Sequence, residues 1–160
     1  MARRKHKPKD DAVIHNRRAR HNYLIEDTLE VGMVLTGSEV KSLRDGGASL
    51  AEGYVRAEES PPSLTLHGVH IQEYPPAAGR QHEPTRVRRL LAHRREIVKL
   101  AAATRVKGVT IVPLKIYFAR GRAKVQIGLA RGKRHADKRD ALETREARRE
   151  IDRAMSTRRR

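Results

Sequence analysis

VTIVPLKIYFARGRAKVQIGLARGKRHADKR, residues Val109 to Arg139, carries the chain from its most strand-like segment into its most exposed and basic one. Val109, Ile111, Leu114, Ile116 and Phe118, then Val125, Ile127 and Leu129, stand at near-alternate positions, the pattern of a half-buried strand pair. Between them Ala119-Arg120-Gly121-Arg122 reads as a turn, because Gly121 takes positive φ at little cost, so the pair is expected to be a hairpin. Beyond Leu129 the alternation stops, and Arg131, Lys133, Arg134, Lys138 and Arg139 arrive with no apolar partners. The expectation is a β body that holds a basic tail beside a polyanion.

The rest of the chain fits that division. Its 160 residues, 38% of them hydrophobic, can build one ordinary core. A net charge of +17, from 36 Lys and Arg against 19 Asp and Glu, calls for a polyanionic partner. The excess lies mostly at the ends. Residues 1–20 carry 8 basic and 2 acidic side chains, residues 131–160 carry 12 and 6, and the long middle carries 16 and 11. Hence three parts are expected: a basic N-terminal arm (1–20), a domain (21–130) and a basic C-terminal tail (131–160). No run approaches the roughly 20 apolar residues of a membrane span, and no signal-peptide or acylation pattern opens the sequence. No membrane partner is expected, and with no cysteine the chain suits the cytoplasm.

The arm has few large apolar residues and cannot alone offset its ordering entropy, so it is expected to be disordered, serving either RNA contact or solubility. From His21 an alternating face runs through Tyr23, Ile25, Leu29, Val31, Met33 and Leu35, giving one long strand or two short ones, with Gly32 as a bulge. Ser38 stands where an N-cap would, Val40 and Leu43 turn inward, Lys41 and Arg44 turn outward, and Gly46-Gly47 ends the helix. Tyr54 to Arg56 and Ser63 to Tyr74 read as strands separated by Ser60-Pro61-Pro62. Thr85 to Val106 has helical periodicity, as one helix or two pieces, and Gly108 stops it. Its cluster of Arg86, Arg88, Arg89, Arg94 and Arg95 is either a solvated helix face or a binding surface. Five or six short strands in so small a domain predict a mainly β protein, an OB-fold-like closed barrel with two or three helices. The tail has a few apolar residues at helical spacing and many charges, so it is expected to be disordered when free and helical on RNA.

Catalytic signatures are missing. His67 and His70 are three apart on a strand and point to opposite faces, GxGxxG, GxxxxGK[ST] and GxSxG are absent, and no zinc ligand set is found. The chain is read as a non-enzyme without metal or cofactor. Four tyrosines and one phenylalanine are too few for a platform that stacks successive bases. Basic contacts to the backbone of a folded RNA, recognised by its shape, fit better.

Three segments carry a resemblance: NRRARHNYLIEDTLEVGMVLTGSEVKSLRDG (Asn16 to Gly46), HEPTRVRRLLAHRREIVKL (His82 to Leu100), and KGVTIVPLKIYFARGRAKVQIGLARGKR followed by DKR (Lys107 to Arg139). Together they resemble the SmpB family, partners of tmRNA in bacterial ribosome rescue. The resemblance implies a barrel that grips the tRNA-like domain of tmRNA and brings it to the vacant A site, with elongation factor Tu and GTP as companions. It also implies a tail that meets small-subunit RNA in the decoding centre and the empty mRNA channel. By that likeness Asn16, His21, Tyr23 and Glu30 belong to the tmRNA contact, and Arg18, Arg20, Lys41, Arg44, Arg88 and Arg89 are the basic residues expected beside them. Arg131, Lys133, Arg134, His135, Asp137, Lys138, Arg139, Arg145, Arg148, Arg149 and Arg153 are expected in the ribosomal site. On chemistry, Glu30 either accepts hydrogen bonds from base edges or holds a neighbouring arginine, Tyr23 is either core or a stacking ring, and Asn16 and His21 either bond RNA or close the barrel mouth. Two departures stand out: Ala136 precedes Asp-Lys-Arg where the family commonly has Tyr or His, with His135 one place earlier, and Gly47 stands where many relatives have Lys.

Overall fold

The structure, a computed structural model, describes residues 12–157. The hairpin is as expected: strands β8 (Val109–Ala119) and β9 (Arg122–Gly132) pair in register from Val109 opposite Arg131 to Ala119 opposite Arg122. Both turn residues, Arg120 and Gly121, have positive φ (51° and 73°), the geometry that matches the twist of the flanking strands. Pro113 has no N–H to give, and the register shifts between Pro113 and Lys115, a place where a sheet tolerates proline.

Around the hairpin stand β1 (Ile14–His15), β2 (Tyr23–Met33), β4 (Tyr54–Glu59), β5 (Pro62–His67) and β7 (Arg88–Leu91), with a separate small pair, β3 (Ala48–Ser49) and β6 (His70–Ile71). The large sheet runs β1-β8-β4-β5-β7-β2-β9, and β9 also pairs with β8. Six strands, β8, β4, β5, β7, β2 and β9, therefore form a ring of pairings. One edge of β8 serves two neighbours, β4 at Ile111 and β1 at Lys115 and Ile116. Four α-helices and one 3-10 turn (Pro75–Ala77) complete the described residues: α1 (Ala19–Asn22), α2 (Gly37–Arg44), α3 (Arg94–Thr104) and α4 (His135–Thr157).

The ring's inward residues are the apolar ones the hairpin announced. Ile111, Ile116, Phe118, Val125 and Ile127 meet Val31, Met33, Val55, Leu64, Leu66 and Leu90, with Leu43 of α2 and Ile97 of α3 packed on the same core. Each such side chain removed from water contributes roughly 1.5–3 kcal/mol before entropy is charged. A smaller cluster lies elsewhere: Ala19 of α1 packs with Val112, Leu114 and Ala130, and Tyr23 and Ile25 lean on it.

Several expectations need correction. Within the expected arm, β1 pairs with β8 and Ala19 of α1 packs on the smaller cluster, while residues 1–11 lie outside the described residues. β2 is one strand, irregular between Ile25 and Asp27 rather than at Gly32. The α2 N-cap is Thr36, whose N–H donates to Glu39 at 2.8 Å, not Ser38. The stretch from Thr85 is not helical at first: Arg88 to Leu91 is a strand, and helix begins only at Arg94. Arg88 and Leu90 point inward while Arg89 and Leu91 point out, so an arginine at an inward position disguises the twofold period.

Candidate nucleic-acid interface

The chain enters the body through Asn16. This residue is buried, its Nδ2 donates to the carbonyls of Leu50 and Pro113 at 2.9 Å each, and its Oδ1 accepts from the Ala19 N–H at 3.1 Å. With its amide used in this way, Asn16 sets the start of α1 and ties it to β8. Its amide is engaged within the protein on both the donor and the acceptor side. Residues leading into α1 and on it are exposed: Arg17, Arg18, Arg20 and His21. Arg18 pairs with Glu52 at 3.1 Å, and His21 Nδ1 lies 3.0 Å from Asn22 Oδ1. Tyr23 is half-buried against the small cluster.

The base of the tail is stitched to the same place. Tyr23 lies opposite Gly132 in the β2–β9 ladder, and the Lys133 N–H donates to the Asn22 carbonyl at 2.9 Å. Lys133 Nζ reaches the Arg20 carbonyl at 3.0 Å. Arg131 pairs with Glu26 at 3.1 Å. Residues far apart in sequence, 17–23 and 131–134, thus make one cationic end of the molecule.

Farther along the ring, Glu30 faces outward from β2. It accepts from the Tyr117 hydroxyl and pairs with Lys124 Nζ at 2.5 Å, while Lys115 lies 5.0 Å from the Tyr117 ring centroid. The cation beside Glu30 is thus a lysine across the ladder, not the expected arginine. Tyr117, unlike the buried Phe118 beside it, is half-exposed. Lys115, Tyr117 and Lys124 were missed as surface residues, although the same alternation that placed the hairpin's inward residues marks them as the outward ones.

Arg88 is a correction of a different kind. It has no exposed surface, and its guanidinium donates to Glu39 Oε1 and to the Val69 and Pro84 carbonyls at 2.7–2.8 Å. An RNA phosphate has no access to it. Arg86 donates to both oxygens of the same carboxylate, at 2.8 and 2.5 Å, and is partly exposed. Burial alone would raise the pKa of Glu39, which is itself fully buried. Hydrogen bonds from Arg86, the Thr36 N–H and Arg88, with the charge of Arg88, outweigh that and hold it at about 2. Burial pulls the Arg88 pKa down against Glu39, and the bond to Glu39 raises that of Arg86. His82 seals the adjoining segment, one ring nitrogen 2.9 Å from Ser38 Oγ and the other 3.1 Å from the Ile71 carbonyl. Sequence reasoning passed over Glu39 because a carboxylate on a short helix normally faces water.

The remaining basic candidates lie at the opposite end of β2. At about 3.3 Å per residue, the strand separates α1 from α2 by roughly 30 Å. Lys41 is exposed as expected. Arg44 is only half-exposed, with its guanidinium carbon 5.3 Å from the Phe118 ring centroid. Arg89 is exposed on β7. Gly47 proves to be a packing requirement as well as a missing cation: a Cβ there would meet Ser42 Oγ at 2.7 Å and the Ser42 carbonyl at 3.2 Å.

Beyond Arg134 the chain is a 23-residue helix, α4, and the Arg134 N–H donates to Asp137 Oδ2 at 2.9 Å, closing its first turn. Arg139, Arg145, Arg148, Arg149 and Arg153 are exposed along it. The side chains of His135 and Lys138 lie outside the described residues. Leu142, Ile151 and Met155 are exposed too, so α4 adds nothing to the core.

The chain is similar to known proteins along most of its length. The family model described as "SmpB protein" matches residues 13–157. An SsrA-binding protein of Thermobifida fusca is 53% identical over 99% of this chain and 100% of its own length. One from Moorella thermoacetica is 51% identical, covering 91% of this chain and 94% of the relative. A solved chain described as "tmRNA-SmpB: a journey to the center of the bacterial ribosome" superposes with a TM-score of 0.66 at 44% identity, over 82% of this chain and 94% of that one.

Proposed function

Because the chain belongs to the SmpB family, we propose that it binds the tRNA-like domain of tmRNA and delivers it to the A site of stalled ribosomes. The single observation that carries this reading is the extent of the match: residues 13–157 span the exposed arginines at and before α1, the ring and α4, so both the RNA-facing body and the tail belong to the pattern. The ring of six strands serves as an oligonucleotide-binding type of barrel, within a body that runs from β1 to Gly132, with the tail from Lys133. Arg17, Arg18, Arg20 and His21 at one end and Lys124 on the outer face bind phosphates of a folded RNA. Asn16 positions α1, Glu30 orients Lys124 and Tyr117, and Lys41, Arg44 and Arg89 extend the contact at the far end. Arg88 is not part of it.

The tail enters the decoding centre and the empty mRNA channel, where RNA on all sides matches a helix charged on all sides. No bond is made or broken by this chain; elongation factor Tu with GTP accompanies delivery in the cytoplasm. Among the described residues no helix is long and apolar enough to cross a membrane. Sequencing of the RNA that co-purifies with the protein from cells at moderate salt tests the reading. tmRNA should dominate, and ribosomal RNA in stoichiometric amount without tmRNA enrichment would refute it.

A further inference from the structure

A small cleft lies between α1 and the segment that leads into β4. Val112 and Ala19 give it an apolar floor, Tyr23 and Tyr54 line it, and Asn22 with the Arg18–Glu52 pair forms its polar rim. Tyr54 is 48% exposed and stacks on His67 with ring centroids 5.0 Å apart and planes 9° from parallel. The register says which face of Tyr54 is covered. His67 is its partner on β5, whereas β8, which supplies Val112, flanks β4 on the other edge. The ring face away from His67 therefore borders the cleft. Among the described residues, neither Tyr54 Oη nor Asn22 Nδ2 has a hydrogen-bond partner.

We infer that this cleft takes one unstacked nucleobase, its π-face on Tyr54 and its polar edge at Asn22. Resting on the proposed function, this names a subsite of the RNA contact. The chemistry is that of single-base capture in a loop of folded RNA: an aromatic ring fixed from behind, an apolar floor and an amide able to donate or accept. The nearby cations suit the phosphates on either side of such a nucleotide. Five aromatic side chains cannot make a platform for a running single strand, but one held ring suffices for one base.

The test is tmRNA affinity of the full-length protein at fixed salt for wild type, Tyr54→Phe, Tyr54→Leu and Tyr54→Ala, each checked for folding by circular dichroism. Loss of one stacked base should weaken binding by about ten- to a hundred-fold in the Leu and Ala variants. Tyr54→Phe should stay near wild type, and the dependence on salt should keep its slope because no phosphate contact is removed. Chemical probing of the RNA should show a single nucleotide losing protection in Tyr54→Leu. Unchanged affinity in a folded Tyr54→Leu protein, or a loss that Phe does not spare, overturns the inference while leaving tmRNA binding intact. A wild-type protein that does not bind tmRNA overturns both.

Discussion

At the level of single residues, Glu39 has the most to lose. Replacing it with Gln leaves the fully buried Arg88 guanidinium without its counter-charge, and removing one partner of a buried pair typically costs about 3–5 kcal/mol. Urea denaturation at neutral pH should show that loss as a lower midpoint with an unchanged slope. The pH dependence has a definite sign. The Glu39 pKa is lowered from an ordinary 4.5 to about 2, so its contribution is complete above about 4.5 and is lost as pH falls from there towards 2. The wild type should therefore destabilise through that window more steeply than Glu39→Gln. Glu30 makes the opposite case, since it is exposed and its pair with Lys124 contributes little to folding. Glu30→Ala should leave the midpoint nearly unchanged and weaken tmRNA binding several-fold, through an unrestrained Lys124 and Tyr117; an unaltered dissociation constant would make the pair ornamental.

At the level of elements, legibility depended on whether the inward positions were apolar. The hairpin could be read to the residue, including its turn, because every inward side chain from Ile111 to Ile127 is aliphatic or aromatic. β7 could not, because Arg88 takes an inward place and is satisfied by Glu39, 49 residues away. No local pattern contains a partner at that separation. The partners of Asn16 were illegible for the same reason, since Leu50 and Pro113 offer distant backbone carbonyls. The end of β9 also matters for dissecting the molecule. The apolar alternation fades at Leu129, yet the ladder with β2 continues to Gly132 and Ala130 is buried. Truncation after Arg134 should keep tmRNA affinity within about twofold and abolish peptide tagging on stalled ribosomes. Truncation after Gly128 should instead lower thermal stability, because it strips four residues from a paired strand. If the Arg134 truncation lost both activities while folded, body and tail would not divide the work as proposed.

For the whole molecule, charge governs association. A chain of net charge +17 that meets RNA through several lysines and arginines releases a counterion for each phosphate neutralised. The logarithm of the tmRNA association constant should fall linearly with the logarithm of salt concentration, with a slope of about −0.7 to −0.9 per contact. Arg20→Ala should make that slope shallower by about one contact, whereas a flat dependence would point to recognition of another kind. Composition announced this much, and it could not say where the cations gather. Only folding brings residues 17–23 beside 131–134 and places Lys41 and Arg44 roughly 30 Å away along β2.

Lys133 fastens the root of α4 to α1 through its own amide and its ammonium group. The two RNA-facing parts consequently share a pivot, like a rudder hinged to the keel it steers. However freely the far end of the helix swings, its bearing at the root is set by the piece that grips the cargo, so any tilt of α1 as RNA settles there turns the rest about that point.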